Sequence, residues 1–253
     1  MIMHNFLLYF FSLLLGLVLG SFLNVLTYRY LNGGSVIAPR SSCPSCKTPL
    51  KALDLIPLFS FLILRGKCRY CRKKISIRYP LVELLTGIVF VTCFHYFGLG
   101  PYFWKYIIIF SILIVISAID LENNLIPNRF VLVLLAWVFL WQLFYPDISH
   151  VSAALGFLAG GLSFFLIAIL SRGGMGGGDV KLMAVLGLAA GWPHILMLFL
   201  LAFVMGAMVG IGFLISKKKS RKDSVPFGPF LALALYVITF WGQDIWMWYT
   251  SFL

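Results

Sequence analysis

The sequence predicts an all-α polytopic membrane protein of about eight transmembrane helices, with one long loop domain between helices one and two. Three observations carry that expectation. Of the 253 residues, 61% are hydrophobic and 11% are charged, against about 25% charged in a typical soluble domain. The mean hydropathy is +0.99, and apolar runs recur at about residues 6–27, 81–98, 102–119, 130–145, 151–170, 180–191, 194–215 and 229–249. Most of these runs approach the roughly 20 residues that cross a hydrocarbon core about 30 Å thick. The basic residues then sort by side. If the helices alternate, the eleven Lys/Arg of 28–79 share a side with Arg129, Arg172, Lys181 and the five within 217–222, leaving only Lys105 of the twenty opposite. The positive-inside rule makes that shared side cytoplasmic and puts both termini outside.

Each element follows from local chemistry. The first run has no basic flank before it, its nearest arginine being Arg29 after it, so it reads as a retained anchor and not as a cleaved signal. Gly16/Gly20 and Gly206/Gly210 have the spacing of close helix contacts, without catalytic implication. The run 180–191 is short, since twelve residues rise only about 18 Å. Omitting it as a crossing would put Lys217, Lys218, Lys219, Arg221 and Lys222 outside, so it stands as a short helix whose inner end lies below the cytoplasmic surface. Glycine-rich irregular backbone at that depth must be covered by protein or water. The expected organisation is a first transmembrane helix at 1–27, a cytoplasmic loop domain at 28–79, and a seven-helix membrane domain at 80–253.

The loop carries Cys43-Pro44-Ser45-Cys46 and Cys68-Arg69-Tyr70-Cys71. Two CxxC knuckles at this interval supply four thiolates, the ligand set of a tetrahedral structural zinc with no open position. Disulfides are disfavoured on the cytoplasmic side. The stretch 53–64 between the knuckles is too apolar for a nucleic-acid finger and is expected to pack on the membrane domain, so no nucleic-acid partner is expected. Cys93 lies inside the second helix, where it serves as a small apolar residue. The basic segments suit anionic membrane lipids.

Asp120 follows the apolar run 107–119, and Asp179 closes the tract Gly173-Gly174-Met175-Gly176-Gly177-Gly178. A carboxylate at mid-bilayer costs roughly 2.5–3.5 kcal/mol on insertion scales, which makes an acid beside hydrocarbon a functional candidate. On the alternating topology both acids reach the same side, Asp120 at the end of helix three and Asp179 at the start of helix six. As a pair they would share a proton and serve as acid and base in peptide hydrolysis. The structural alternatives are a helix N-cap for Asp179 and a solvated interfacial residue for Asp120. His4, His95, His150 and His194 fall near outer helix ends, and no Ser-His pair, P-loop or dinucleotide fingerprint is present. A proton-coupled secondary transporter with broken helices, or a zinc-loop scaffold of a secretion assembly, also fits the residues taken alone.

Longer stretches of the chain resemble the type IV prepilin peptidases. The resemblance runs through Gly20-Ser21-Phe22-Leu23-Asn24-Val25 with Arg29, both knuckles with the residues before them, and Tyr79-Pro80-Leu81-Val82-Glu83. It continues through Ile119-Asp120-Leu121 with Ile126-Pro127-Asn128, Gly176-Gly177-Gly178-Asp179-Val180-Lys181, and Pro226-Phe227-Gly228-Pro229. Tyr30-Leu31 departs from the leucine-proline step usual after the arginine and touches only a loop. The resemblance implies a bacterial inner-membrane aspartic endopeptidase with Asp120 and Asp179 as its catalytic pair, facing the cytoplasm. It further implies cleavage of prepilin or pseudopilin leaders after glycine, in pilus or type II secretion systems. N-methylation of the new terminal residue with S-adenosylmethionine is implied as well, although no residues here can be assigned to that cofactor. A presenilin-like protease shares Gly176-x-Gly178-Asp179, and the zinc loop argues against that branch.

Overall fold

A computed structural model of the chain describes residues 2–35, 40–171, 175–216 and 225–251. Among these residues the structure is helical, with no strand beyond two isolated bridges. The long helices are α1 (Ile2–Asn32), α3 (Arg78–Phe97), α4 (Pro101–Asn123), α5 (Asn128–Phe144), α6 (His150–Leu170), α7 (Gly177–Ala190), α8 (His194–Ile215) and α9 (Gly228–Thr250); α2 (Phe59–Ile63) is a single turn in the loop. A helix therefore covers each of the eight apolar runs. Six of them, α1, α3, α4, α6, α8 and α9, are long and apolar enough to cross a membrane. The apolar α5, at 17 residues, and α7, at 14, are shorter. Pro39, Arg172, Gly173, Gly174 and the five basic residues within 217–222 lie outside the described residues.

Helix ends differ from the apolar limits in ways that matter. Helix α1 runs on to Asn32, so Arg29 and Tyr30-Leu31, the latter expected in a loop, are helical, and Gly33 in the left-handed region (φ +69°) ends it. Helix α4 runs on to Asn123, so Asp120 sits inside its last turn and not at its end, and its carbonyl accepts the Asn124 amide at 2.8 Å. Helix α7 begins three residues early at Gly177, because extended Gly176 (φ −72°, ψ 145°) is the N-cap. Asp179 is therefore not the cap but the third helical residue, and its Oδ2 accepts the Gly176 amide at 3.2 Å.

The chain divides into two compact units, 1–118 and 119–253. In the first, α1 and α3 run antiparallel in close contact. A Cβ on Gly16 would stand 2.8 Å from the Gly87 Cα, and one on Gly20 would stand 2.7 Å from the Glu83 Cα, so these two glycines act as the spacing predicts. Cys93 is fully buried, as expected of an apolar residue. Lys105 is buried too, its Nζ 5.0 Å from the Tyr106 ring centroid.

In the second unit α7 is the centre, packed by α5, α6, α8 and α9. It is apolar on every side, and Leu182, Met183 and Leu186 are wholly buried, as befits a helix surrounded by protein. Its closest neighbour is α6, where an added Cβ on Gly160 would stand 2.7 Å from the Met183 carbonyl, and Gly156 and Gly187 face each other backbone to backbone. The pair Gly206/Gly210 behaves otherwise. Gly206 receives the edge of the Phe227 ring, and nothing approaches Gly210.

Candidate active site and metal centre

The four-cysteine loop consists of two equivalent halves. In the first, the Lys47 amide donates to the Cys43 carbonyl (2.8 Å), the Cys43 amide to Thr48 (3.0 Å) and the Leu50 amide to Ser41 (2.8 Å). The same three bonds recur 25 residues on, from Arg72 to Cys68 (3.0 Å), Cys68 to Lys73 (2.9 Å) and Ile75 to Gly66 (2.8 Å). Lys47 and Arg72 both turn the chain through the left-handed region (φ +58° and +61°). The four Sγ atoms lie within 4.8 Å of one another, and those of Cys43 and Cys71 are 3.9 Å apart. Sulfurs about 2.3 Å from a tetrahedral zinc stand about 3.8 Å from each other, whereas a disulfide needs about 2.05 Å. The cluster fits a metal ion such as zinc.

The strand of loop between the halves is clasped at both ends. Asp54 accepts Arg69 Nε at 2.6 Å and Tyr70 Oη at 2.9 Å, which ties it to the second knuckle, and its Oδ2 also takes the Lys51 amide at 3.1 Å. Burial pushes the Asp54 carboxyl up, but these bonds outweigh it and hold the group below the usual carboxylate range. At the other end the Leu58 amide donates to Glu83 Oε2 at 2.8 Å. Within the first unit the expected burial of the apolar stretch is not found. Leu53, Leu55, Ile56, Phe59, Leu62 and Ile63 are all exposed, because a single turn of helix held by one amide bond has no partner surface to cover it.

The two acids are brought together at one end of the second unit. Asp120 is only 4% exposed. Its Oδ2 accepts the Gly228 amide at 2.8 Å, a charge-assisted bond from the N-terminus of α9. A Cβ on Gly228 would stand 3.0 Å from that oxygen, so only glycine brings the α9 backbone so near. Phe227, the residue before it, is wedged among Phe164 (5.8 Å between centroids), Phe203 (5.2 Å) and the bare face of Gly206. On the other side Gly178 packs on the segment after α4, where its Cβ would be 2.8 Å from that of Ile126. Lys181 Nζ donates to Asn128 Oδ1 at 3.0 Å, joining the starts of α5 and α7. Asp120 thereby comes within electrostatic reach of Asp179. Like charges at such range resist simultaneous ionisation, so the arrangement suits a carboxyl pair that shares a proton.

Sequence reasoning missed the Gly228 amide, the Phe227 wedge and the Asn128–Lys181 bond. A glycine between Pro226 and Pro229 at a helix start signals the first, but nothing in the spacing shows what that amide faces. Glu83 and Asn24 were also passed over. Both are buried acid or amide residues of membrane helices, Asn24 Nδ2 donating to the Tyr79 carbonyl at 2.9 Å.

Apolar helices long enough to cross a membrane, a four-cysteine cluster able to hold a metal ion and two acids at helix ends mark a polytopic membrane protein. Comparison with known proteins narrows that class. Residues 14–97 match the bacterial peptidase A24 N-terminal domain, and residues 107–211 match the type IV leader peptidase family. Proteins named prepilin leader peptidase/N-methyltransferase are similar along most of their length. The one from Aeromonas hydrophila is 36% identical, covering 96% of this chain and 95% of its own. That from Bacillus subtilis (strain 168) is 35% identical, with 91% and 93% covered. That from Xanthomonas campestris pv. campestris is 37% identical, with 91% and 90% covered. No solved structure matches. The chain belongs to the type IV leader peptidase family.

Proposed function

We propose that the chain cleaves the leader peptide of type IV prepilins or pseudopilins after glycine, at the cytoplasmic face of a bacterial inner membrane, and then N-methylates the new terminal residue. The convergence of Asp120 and Asp179 at one end of the second unit carries this reading. In the proposed step the ionised member of the pair takes a proton from a water that attacks the scissile carbonyl. The protonated member donates to the carbonyl oxygen. The Gly228 amide holds one carboxylate and the Gly176 amide the other, so both are oriented before substrate arrives. The glycines around Asp179 leave room for an extended peptide backbone.

The pair titrates as a unit, and neither acid is assigned as the base. Cys43, Cys46, Cys68 and Cys71 would hold a zinc whose four thiolate ligands leave it a structural role. S-adenosylmethionine would supply the methyl group, and the loop 28–79 is too short to form a Rossmann-type methyltransferase by itself. Eight crossings, a loop domain at 28–79 and a membrane peptidase domain at 80–253 complete the arrangement, with anionic lipids along the basic cytoplasmic face.

The test is mass spectrometry of a prepilin incubated with the purified protein and S-adenosylmethionine. Loss of the leader and gain of one methyl group are separate mass changes. An intact precursor in the presence of zinc-loaded protein would refute the proposal.

A further inference from the structure

The exposed apolar face of the loop lies at a depth set by the bond between Leu58 and Glu83. Leu62 is 69% exposed and Ile63 is 75% exposed, with Leu53, Leu55, Ile56 and Phe59 beside them. Each such side chain left in water forgoes roughly 1.5–3 kcal/mol of burial. A contiguous set of this kind marks an interaction surface. Glu83, which accepts the Leu58 amide at 2.8 Å, lies five residues beyond Arg78, the first residue of α3. Five residues of helix rise about 7.5 Å, and α3 is long and apolar enough to span a membrane. Leu58 is thus held level with the second turn of a membrane helix, about one headgroup layer below its start. Its own backbone, at φ +60°, is in a region that a bulky residue rarely adopts, as expected where a contact over-determines the chain. At the same level Leu81, Leu84 and Leu85 of α3 are exposed as well.

Charge points to the same occupant. Lys51, Arg65, Lys67, Arg72, Lys73 and Lys74 are exposed around the segment. Asp54, the one acid within 28–79, is taken up by Arg69. Apolar residues rimmed by cations and lying 5–10 Å deep are the signature of an interfacial segment on an anionic leaflet.

We infer that residues 53–63 enter the boundary between headgroups and acyl chains as a wedge, docking the four-cysteine module on the bilayer at a second point beside its connections to α1 and α3. The inference rests on the membrane-spanning reading and not on the aspartate pair. To test it, the full chain carrying Cys93→Ser is placed in vesicles containing anionic phospholipid, with nitroxides attached at Ile63→Cys or Leu62→Cys. Zinc content confirms that the module is folded. Both labels are expected to collide several-fold more often with oxygen than with a neutral, water-soluble nickel chelate, and a label at exposed Ser45→Cys to show the reverse. Labels at 62 and 63 that behave like the one at 45 would overturn the inference. So would protection that appears only when a prepilin helix is added, which would give the face to a protein partner. The unsubstituted protein supplies an independent measurement with diazirine-bearing acyl chains, where lipid adducts are expected on the peptide 52–64 and their absence is equally decisive. Asp120→Asn and Asp179→Asn should leave all of these readings unchanged, which separates failure here from failure of the peptidase proposal.

Discussion

Asp120→Asn and Asp179→Asn each preserve size and polarity while removing the capacity to share a proton. Each is expected to lower cleavage by roughly 10²–10⁴-fold or more, the range ascribed to positioned acids and bases. Zinc content and membrane insertion should stay normal, and a substrate whose leader is already removed should still be methylated. A purely structural role at the third helical position makes a different prediction for Asp179, because asparagine accepts the Gly176 amide nearly as well. Near wild-type cleavage by either variant, followed by mass spectrometry, would leave the acid with a structural role only. The glycines supply a finer test. A Cβ at Gly178 meets Ile126, whereas one at Gly177 meets nothing within 4 Å. Gly178→Ala should therefore displace the first turn of α7 and slow cleavage on the order of 10–100-fold, given that about 1 Å of misplacement can cost 10². Gly177→Ala should leave the first turn of α7 in place, so any loss of cleavage it shows reports crowding of the substrate backbone. Asp54 can be judged by exchange instead of turnover. A carboxylate held below its ordinary value contributes stability above about pH 4 and loses it as pH falls through its own lower value. At pH 7 the contribution is complete, so Asp54→Asn should speed amide exchange across 51–55 while the four cysteines keep their metal.

Among the elements, α6 and α7 show how much was legible and where legibility stopped. The short run 180–191 stands as a helix in the sequence because omitting it would misplace the five basic residues of 217–222, and the structure puts a helix there. That it forms the centre of its unit was not legible, because a uniformly apolar helix has no periodic face to say which side is covered. The GxxxG spacing of Gly156 and Gly160 was present in the sequence and is the tighter crossing, yet the same spacing at Gly206 and Gly210 marks a seat for one ring and an open face. Spacing alone reports that backbones can approach, and only the partner decides whether they do. The cysteine knuckles are at the other extreme. Four ligands in two turns are constrained by the metal itself, so their geometry follows from the intervals. For the acids, the sequence marks both residues as candidates, and the Gly176 amide bonded to Asp179 is a near neighbour, while the Gly228 amide bonded to Asp120 comes from far along the chain and leaves no local trace. Gly187→Ala carries the prediction at this scale. Its Cβ would meet backbone of Gly156, which cannot yield as a side-chain tip does. Destabilisation of about 1–3 kcal/mol or more is expected, measurable as earlier unfolding in detergent, and loss of activity should follow loss of the fold.

Over the whole molecule the orientation rests on charge. Ser220→Cys, in a chain where Cys93 is serine and the metal cysteines are kept, should be labelled by an impermeant thiol reagent only in inside-out vesicles. Labelling from the outer side would break the eight-crossing arrangement and separate the helix ends that carry the two acids. The length of α7 has one more consequence. Fourteen residues rise about 21 Å, roughly 9 Å less than the hydrocarbon core. On the proposed function, and with its far end at the opposite boundary, its acidic end would work as a depth gauge, and a precursor would be read by where its peptide bond falls along the membrane normal as much as by the residues around that bond. Lengthening the apolar helix of a precursor by one turn next to the scissile glycine, with its sequence at the cut unchanged, should then carry the bond past the carboxylates and spare it.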